Sequence, residues 1–270
     1  MSDAQSLLIF GAGKMGGAML AGALKAGWTS SAITVIDPHP SEALSVMCAK
    51  AGITLNPVGG RVSKLALLAI KPQMLDAACE TLSGFVDADT VLVSILAGKS
   101  IADLVVRLPH VIKLVRAMPN TPAAIGRGIT GAYATATLSG AERAQVDGLL
   151  KTTGRVVWLE DEALIDCVTA VSGSGPAYVF HLVEALAKAG EGVGLPPDLA
   201  MQLARATVEG AGELLFQEAS TPASVLRQNV TSPGGTTAAA LEVLMTQDGL
   251  APLMGKAVKA AHARAKALAG

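Results

Sequence analysis

Aromatic side chains make up only 3% of this 270-residue sequence, and charged ones only 16%, well under the roughly 25% of an ordinary soluble domain. Lysine and arginine total 21 against 22 aspartates and glutamates, with no basic run. That excludes the phosphate-neutralising surface of a nucleic-acid binder. No uninterrupted apolar stretch reaches the length of about 18 residues that marks a membrane-crossing helix. The start Met1-Ser2-Asp3 is not basic, and Gly11, Gly13, Gly16 and Gly17 break the apolar segment behind it, so no signal peptide is expected. The three cysteines, Cys48, Cys79 and Cys167, are far apart in apolar surroundings. They fit neither a disulfide framework nor a zinc cluster, and a reducing cytoplasm is the expected location. His39, His110, His181 and His262 show no metal-ligand spacing, so no metal is expected. A G-x-S-x-G elbow and a Walker-type phosphate loop are both missing.

What is abundant is glycine (29 residues) and small apolar side chains, in a composition that is 51% hydrophobic. Helices this smooth pack closely, and a subunit interface is expected. Ser6–Phe10, Ala32–Asp37, Leu65–Ile70, Thr90–Leu96 and Val111–Val115 read as strands buried on both faces. Met15–Ala26, Ser41–Ala51, Gln73–Leu82 and Ile101–Arg107 read as the helices between them. This alternation implies a parallel sheet covered on both sides. Ile129–Ala134 and Arg155–Leu159 add strands around a helix at Gly140–Leu150. After about Asp161 the strand signals stop, and Gly194-Leu195-Pro196-Pro197 breaks a helical run in the expected way. The expected fold is α/β: a Rossmann-type doubly wound domain over residues 1–160, then an all-helical domain over 161–270.

Leu7–Phe10 runs directly into Gly11-Ala12-Gly13-Lys14-Met15-Gly16, a G-x-G-x-x-G at a strand end that opens a helix. Gly11 permits the tight turn, Gly13 lets backbone amides reach a pyrophosphate, and Gly16 lets helix and strand approach. Asp37 ends the second expected strand, where an acid takes the ribose 2′-hydroxyl of NAD and repels a 2′-phosphate. The alternative is an aspartate that caps the turn before Pro38. Ala69-Ile70-Lys71-Pro72 and Ser94-Ile95-Leu96-Ala97-Gly98 end two more strands at the ligand-binding edge. Lys71 is either a cofactor contact or a solvated lysine. Asn56, before Pro57, is either an adenosine contact or a turn residue.

In the helical half, Thr231-Ser232-Pro233-Gly234-Gly235-Thr236-Thr237 runs into Ala238–Leu241. Adjacent glycines expose amides, a helix start adds its positive end, and Ser232, Thr236 and Thr237 add hydroxyls. Together they make a carboxylate cradle without lysine or arginine. The bland alternative is a Ser/Thr-capped helix behind a Pro-Gly turn. Ser172-Gly173-Ser174-Gly175-Pro176-Ala177-Tyr178 and Met118-Pro119-Asn120-Thr121-Pro122 are two further breaks that line a site or merely punctuate the chain.

These segments together resemble the pyrroline-5-carboxylate reductases, most specifically Asn229–Thr237. The resemblance implies reduction of 1-pyrroline-5-carboxylate to L-proline by NADH or NADPH. It also implies a Rossmann domain, a helical dimerisation domain, and homodimers that can assemble into a decamer. The active site it implies lies between one subunit's cofactor and the helical domains of the dimer. With Asp37 read from its place at the end of the second expected strand and Asn56 from its place before Pro57, the expected cofactor set is Gly11, Ala12, Gly13, Lys14, Met15, Gly16, Asp37, Asn56, Ala69, Lys71, Pro72, Ala97 and Asn120. The substrate set is Ser232, Gly234, Gly235, Thr236 and Thr237, with Thr237 as the catalytic hydroxyl. Asp37 favours NADH.

Two other readings share the glycine loop. A β-hydroxyacid dehydrogenase would need a lysine on the helix after Gly173–Tyr178, where this chain has Val179. A non-catalytic dinucleotide sensor would have no use for the 231–237 cradle. An imine reductase for an open-chain or six-membered substrate stays open.

Overall fold

The protein is described by a computed structural model covering residues 6–60 and 62–269. The start Met1-Ser2-Asp3, on which the signal-peptide expectation rests, lies outside the described residues. Eight strands form one sheet: β1 (Leu7–Phe10), β2 (Ile33–Ile36), β3 (Thr54–Leu55), β4 (Leu65–Leu68), β5 (Val91–Ser94), β6 (Lys113–Met118), β7 (Gly128–Ala134) and β8 (Gly154–Trp158). Their spatial order is β3-β2-β1-β4-β5-β6-β7-β8. The central strands are apolar in both phases because both faces are covered. Leu7, Ile9, Val35, Leu67 and Val93 face a core shared with α1 (Lys14–Lys25), α2 (Glu42–Ala51) and α5 (Gly140–Lys151). Leu8, Phe10, Ile36, Leu68 and Leu92 face a second core shared with α3 (Leu75–Leu82) and α4 (Ile101–Arg107).

From β3 through β6 neighbouring strands are parallel, but β7 pairs antiparallel with β6 and β8 follows β7 in parallel. The expectation of a parallel sheet therefore needs correcting at this edge. Between β6 and β7 the chain has only a short 3₁₀ turn at Thr121–Ile125, too little for the crossover that parallel neighbours require. Between β7 and β8 the crossover exists, as α5. Inside the sheet the order of winding reverses between β1 and its parallel neighbour β4, so the loops after these two strands diverge and leave a crevice at their carboxyl ends.

After β8 come α6 (Leu164–Val168) and a π-helical turn at Thr169–Gly173, the Ser/Gly break of the sequence. α6 packs on β6 and β7, and Asp166 on it pairs with Arg116 of β6. The first compact unit runs to Gly173 and also takes in residues from Ala261 onward. The second unit, Ser174–Ala260, consists of α7 (Gly175–Gly192), α8 (Pro197–Gln217), α9 (Ala223–Asn229), α10 (Thr236–Leu244) and most of α11 (Leu250–Ala269). Gly194 ends the α7 turn at φ 102° and Pro197 opens α8, as the breaker motif predicts. Helices α7 and α8 pack on each other, yet Phe180 remains 64% exposed and Met245 60% exposed in the single chain. No helix among the described residues is long and apolar enough to cross a membrane.

Candidate functional site

The parallel register gathers the carboxyl ends of β1 to β6 along one edge, where the first group of expected site residues lies. Gly11 has φ +89°, and a Cβ there would stand 2.7 Å from the Ala69 carbonyl oxygen and 2.8 Å from Ile70 Cγ2. A Cβ on Gly16 would collide with the Gly11 carbonyl oxygen and come within 3.1 Å of Ala69 Cβ. Strand, turn and helix approach this closely only because two side chains are missing. Gly13 differs: its Cβ position is open, with nothing within 4 Å. Gly13 is also the N-cap of α1, and no side chain caps that helix. The first-turn amides of Lys14, Met15 and Gly16 thus start a helix that carries a positive end toward the open side of the loop. The residues present fit a dinucleotide: a closed inner side that fixes the turn and an open, amide-bearing outer side that suits a diphosphate.

Asp37 follows β2 directly. Its Oδ2 accepts the Ala12 amide at 2.8 Å and its Oδ1 accepts the His39 amide at 3.0 Å. Asn56 follows β3 and is the single non-glycine residue with positive φ among those described, at 49°. Its Oδ1 accepts the Asp37 amide at 2.8 Å, and its Nδ2 donates to the Asp37 carbonyl at 2.8 Å. Both readings of Asn56 therefore meet a third fact, a carboxamide committed to a neighbouring peptide. Ala69 follows β4, and its amide donates to Phe10 O at 2.8 Å. Lys71 is exposed ahead of the 3₁₀ turn Pro72–Met74, and Ala97 is exposed after β5. Asn120 is only 9% exposed. Its Oδ1 accepts the Ile129 amide at 2.9 Å and its Nδ2 donates to Ser172 O at 3.2 Å, which ties the turn after β6 to β7 and to the π turn.

One buried group is announced by no motif. Arg116, 4% exposed, reaches Glu162 at 3.1 Å and Asp166 at 3.2 Å, and Glu162 also accepts the Ile101 amide that starts α4. The available signal was an arginine amid Leu114-Val115 and Ala117. The expected strand stopped one residue short of it.

The second group lies in the helical unit. Gly234 has φ +69°, and the Gly235 amide donates to Ser232 O at 3.0 Å to close the turn. Helix α10 starts at Thr236 with Gly235 as its N-cap and no side-chain cap. Thr231 turns its hydroxyl back to Arg227 O at 2.7 Å. The bland alternative, a Ser/Thr-capped helix, is therefore not what forms. The hydroxyls of Ser232, Thr236 and Thr237 carry no hydrogen bond among the described residues, and the first amides of α10 keep their donors.

Residues 162–268 match a family model described as pyrroline-5-carboxylate reductase dimerisation, and residues 6–98 match one described as NADP oxidoreductase, coenzyme F420-dependent. The pyrroline-5-carboxylate reductase of Pasteurella multocida is 37% identical over 91% of each chain. That of Pseudomonas aeruginosa is 37% identical over 97% of this chain and 96% of its own. Among solved structures, the Coxiella burnetii pyrroline-5-carboxylate reductase superposes with TM-score 0.90 at 32% identity, covering 99% of both chains. A Plasmodium falciparum pyrroline carboxylate reductase with NADP bound superposes with TM-score 0.81 at 25% identity over the whole of both chains. Similar along nearly its whole length to such relatives, with a glycine loop and an uncapped α10 start built as described, this chain belongs to the pyrroline-5-carboxylate reductase family.

Proposed function

We propose that this chain reduces 1-pyrroline-5-carboxylate to L-proline, with the substrate carboxylate held by the 232–237 cradle and Thr237 as its catalytic hydroxyl. The observation that carries the reading is the start of α10: a helix with no side-chain cap, beside which the hydroxyls of Ser232, Thr236 and Thr237 have no hydrogen-bond partner among the described residues. A carboxylate is the ligand such a start accepts, by charge-assisted bonds from backbone amides. Gly234, Gly235 and Thr236 supply the amides and Ser232 a hydroxyl, while the Thr237 hydroxyl hydrogen-bonds the ring nitrogen.

A cyclic imine protonates more readily than a ketone, and the carbon of the protonated C=N bond is already electrophilic. The protein's task is orientation more than strong acid catalysis. A bound dihydronicotinamide supplies the hydride that this carbon takes up, leaving the ring nitrogen as a secondary amine. Thr237 holds that nitrogen and its proton in line. On the nucleotide side, the Gly13–Gly16 amides hold the diphosphate and Asp37 takes the ribose hydroxyls, which favours NADH over NADPH. Ala69, Lys71, Pro72, Ala97 and Asn120 border the same edge, as does Asn56. Residues 161–270 serve as the dimerisation and substrate-binding segment of a homodimer, which assembles further into a decamer.

The experiment is direct. Purified protein should oxidise NADH faster than NADPH, and only when 1-pyrroline-5-carboxylate is supplied. Nucleotide binding without turnover on this imine would leave a sensor, and faster turnover of a six-membered imine would reassign the substrate.

A further inference from the structure

Strands β2 and β3 pair over only two residues, Thr34 with Thr54 and Val35 with Leu55. The last backbone rung is Asn56 N–H to Val35 O at 2.8 Å. Beyond it the ladder continues by other means. Asn56 turns into the left-handed region at φ 49°, a conformation that asparagine tolerates better than most residues. Its side-chain amide then stands beside Asp37. One carboxamide oxygen accepts the Asp37 N–H and the carboxamide nitrogen donates to the Asp37 C=O, both at 2.8 Å. In a parallel ladder the N–H and C=O of one residue bond two different peptide groups of the neighbouring strand; here a single primary amide, whose oxygen and syn N–H lie on the same side, meets both and adds one rung to the sheet.

This rung fixes the residue that the nucleotide meets. A carboxylate has about four lone-pair sites. In Asp37 one oxygen is held by Ala12 N–H and the other by His39 N–H, which leaves further acceptor capacity on each. A carboxylate bound to the glycine loop through Ala12 can serve ribose hydroxyls only while its own backbone stays put. Asn56 is exposed and Asp37 half-buried, so the clamp does little for the core. Its effect falls on where the negative charge points. We infer that Asn56 is a positioning residue for nucleotide selectivity: by clamping both backbone groups of Asp37 it holds the carboxylate where it accepts a ribose diol and rejects a 2′-phosphate. This rests on the reading of Asp37 as the NADH-selecting residue.

The test is Asn56→Gly, which tolerates the left-handed backbone and deletes the side chain that carries the carboxamide, compared with Asp37→Ser and the double variant. Dissociation constants for NADH and NADPH are read by fluorescence titration without substrate, and melting temperatures are taken without nucleotide. Expected is a fall of about tenfold in the ratio Kd(NADPH)/Kd(NADH) for Asn56→Gly, as selectivity carried by one or two charge-assisted bonds would give. Melting should change little, and the double variant should match Asp37→Ser alone. An unchanged ratio in Asn56→Gly, where Asp37→Ser does shift it, overturns the clamp and leaves Asp37 standing. Equal weakening of both nucleotides also overturns it, because that is a contact with the shared adenosine. A ratio indifferent to Asp37→Ser removes the premise, and the proposal with it.

Discussion

Gly16 lies so close to Gly11 that a methyl group on it would overlap the Gly11 carbonyl oxygen. The obstacle is backbone, which cannot swing aside as a flexible side chain would. Gly16→Ala is therefore expected to force α1 off β1 and β4, lowering stability by about 1–3 kcal/mol, in the range of overpacked cores. Gly13→Ala offers the contrast. Its Cβ enters open space and the backbone φ of −63° suits any residue. Its melting temperature should stay near wild type while nucleotide affinity drops about tenfold or more, because the methyl group stands where a diphosphate must approach. Thermal melts and nucleotide titrations of the two variants check both halves, and equal behaviour would contradict the division of labour.

Thr237→Ala is expected to lower kcat by about tenfold or more, the scale of a lost positioning and proton-handling group. Thr237→Ser, which keeps the hydroxyl, should recover most of it. Steady-state kinetics on the imine decide the matter, and unchanged kinetics in the alanine variant would remove the assigned role.

Glu142 closes the capping box of α5 with Ser139 and pairs with Lys113 of β6 at 2.8 Å. The Lys113 hydrogen bond, then the Ser139 amide, hold its carboxyl down from an ordinary 4.5 to about 2. A carboxyl depressed on folding stabilises the fold above its unfolded value, and that contribution drains away as pH falls toward about 2. Glu142→Gln should consequently melt below wild type at pH 7. The gap should narrow below pH 4.5 and nearly close by about 2. A gap independent of pH would mean that the side chain acts only as a neutral cap.

Large apolar side chains left open on the helical unit, with Phe180 at 64% and Val243 at 70% exposure, exceed what a lone soluble chain tolerates well. Light scattering at micromolar concentration should give the mass of two copies or a multiple, such as ten. A stable monomer would contradict the assignment of residues 162–268 to dimerisation.

Where physics is local, the sequence was readable. The glycine loop, the central strands and the Gly-Pro break before α8 lie where short-range patterns set them, and α4 (Ile101–Arg107) matches to the residue. The misses come from long-range effects. Strand β3 has two residues, Thr54 and Leu55, too few for any period to show. The reversal at β7 follows from connection length, not from the composition of Gly128–Ala134. The tie of Arg116 to Asp166 joins residues fifty positions apart. In the candidate site the residue types at Asp37 and Asn56 were visible, while their mutual bonds were not. Those bonds depend on the strand order, which brings β2 and β3 side by side.

The segment Thr231–Thr237 contains no lysine or arginine. Attraction by amide dipoles and hydroxyls fades within a few ångströms, inside the Debye length of about 10 Å at 0.1 M salt. Added electrolyte therefore has little to screen. The Michaelis constant for the imino acid should change by less than about twofold between dilute buffer and 0.3 M potassium chloride, whereas an arginine-clamped carboxylate would loosen steadily. A site of this kind would hold a carboxylate about equally well in dilute and in concentrated electrolyte.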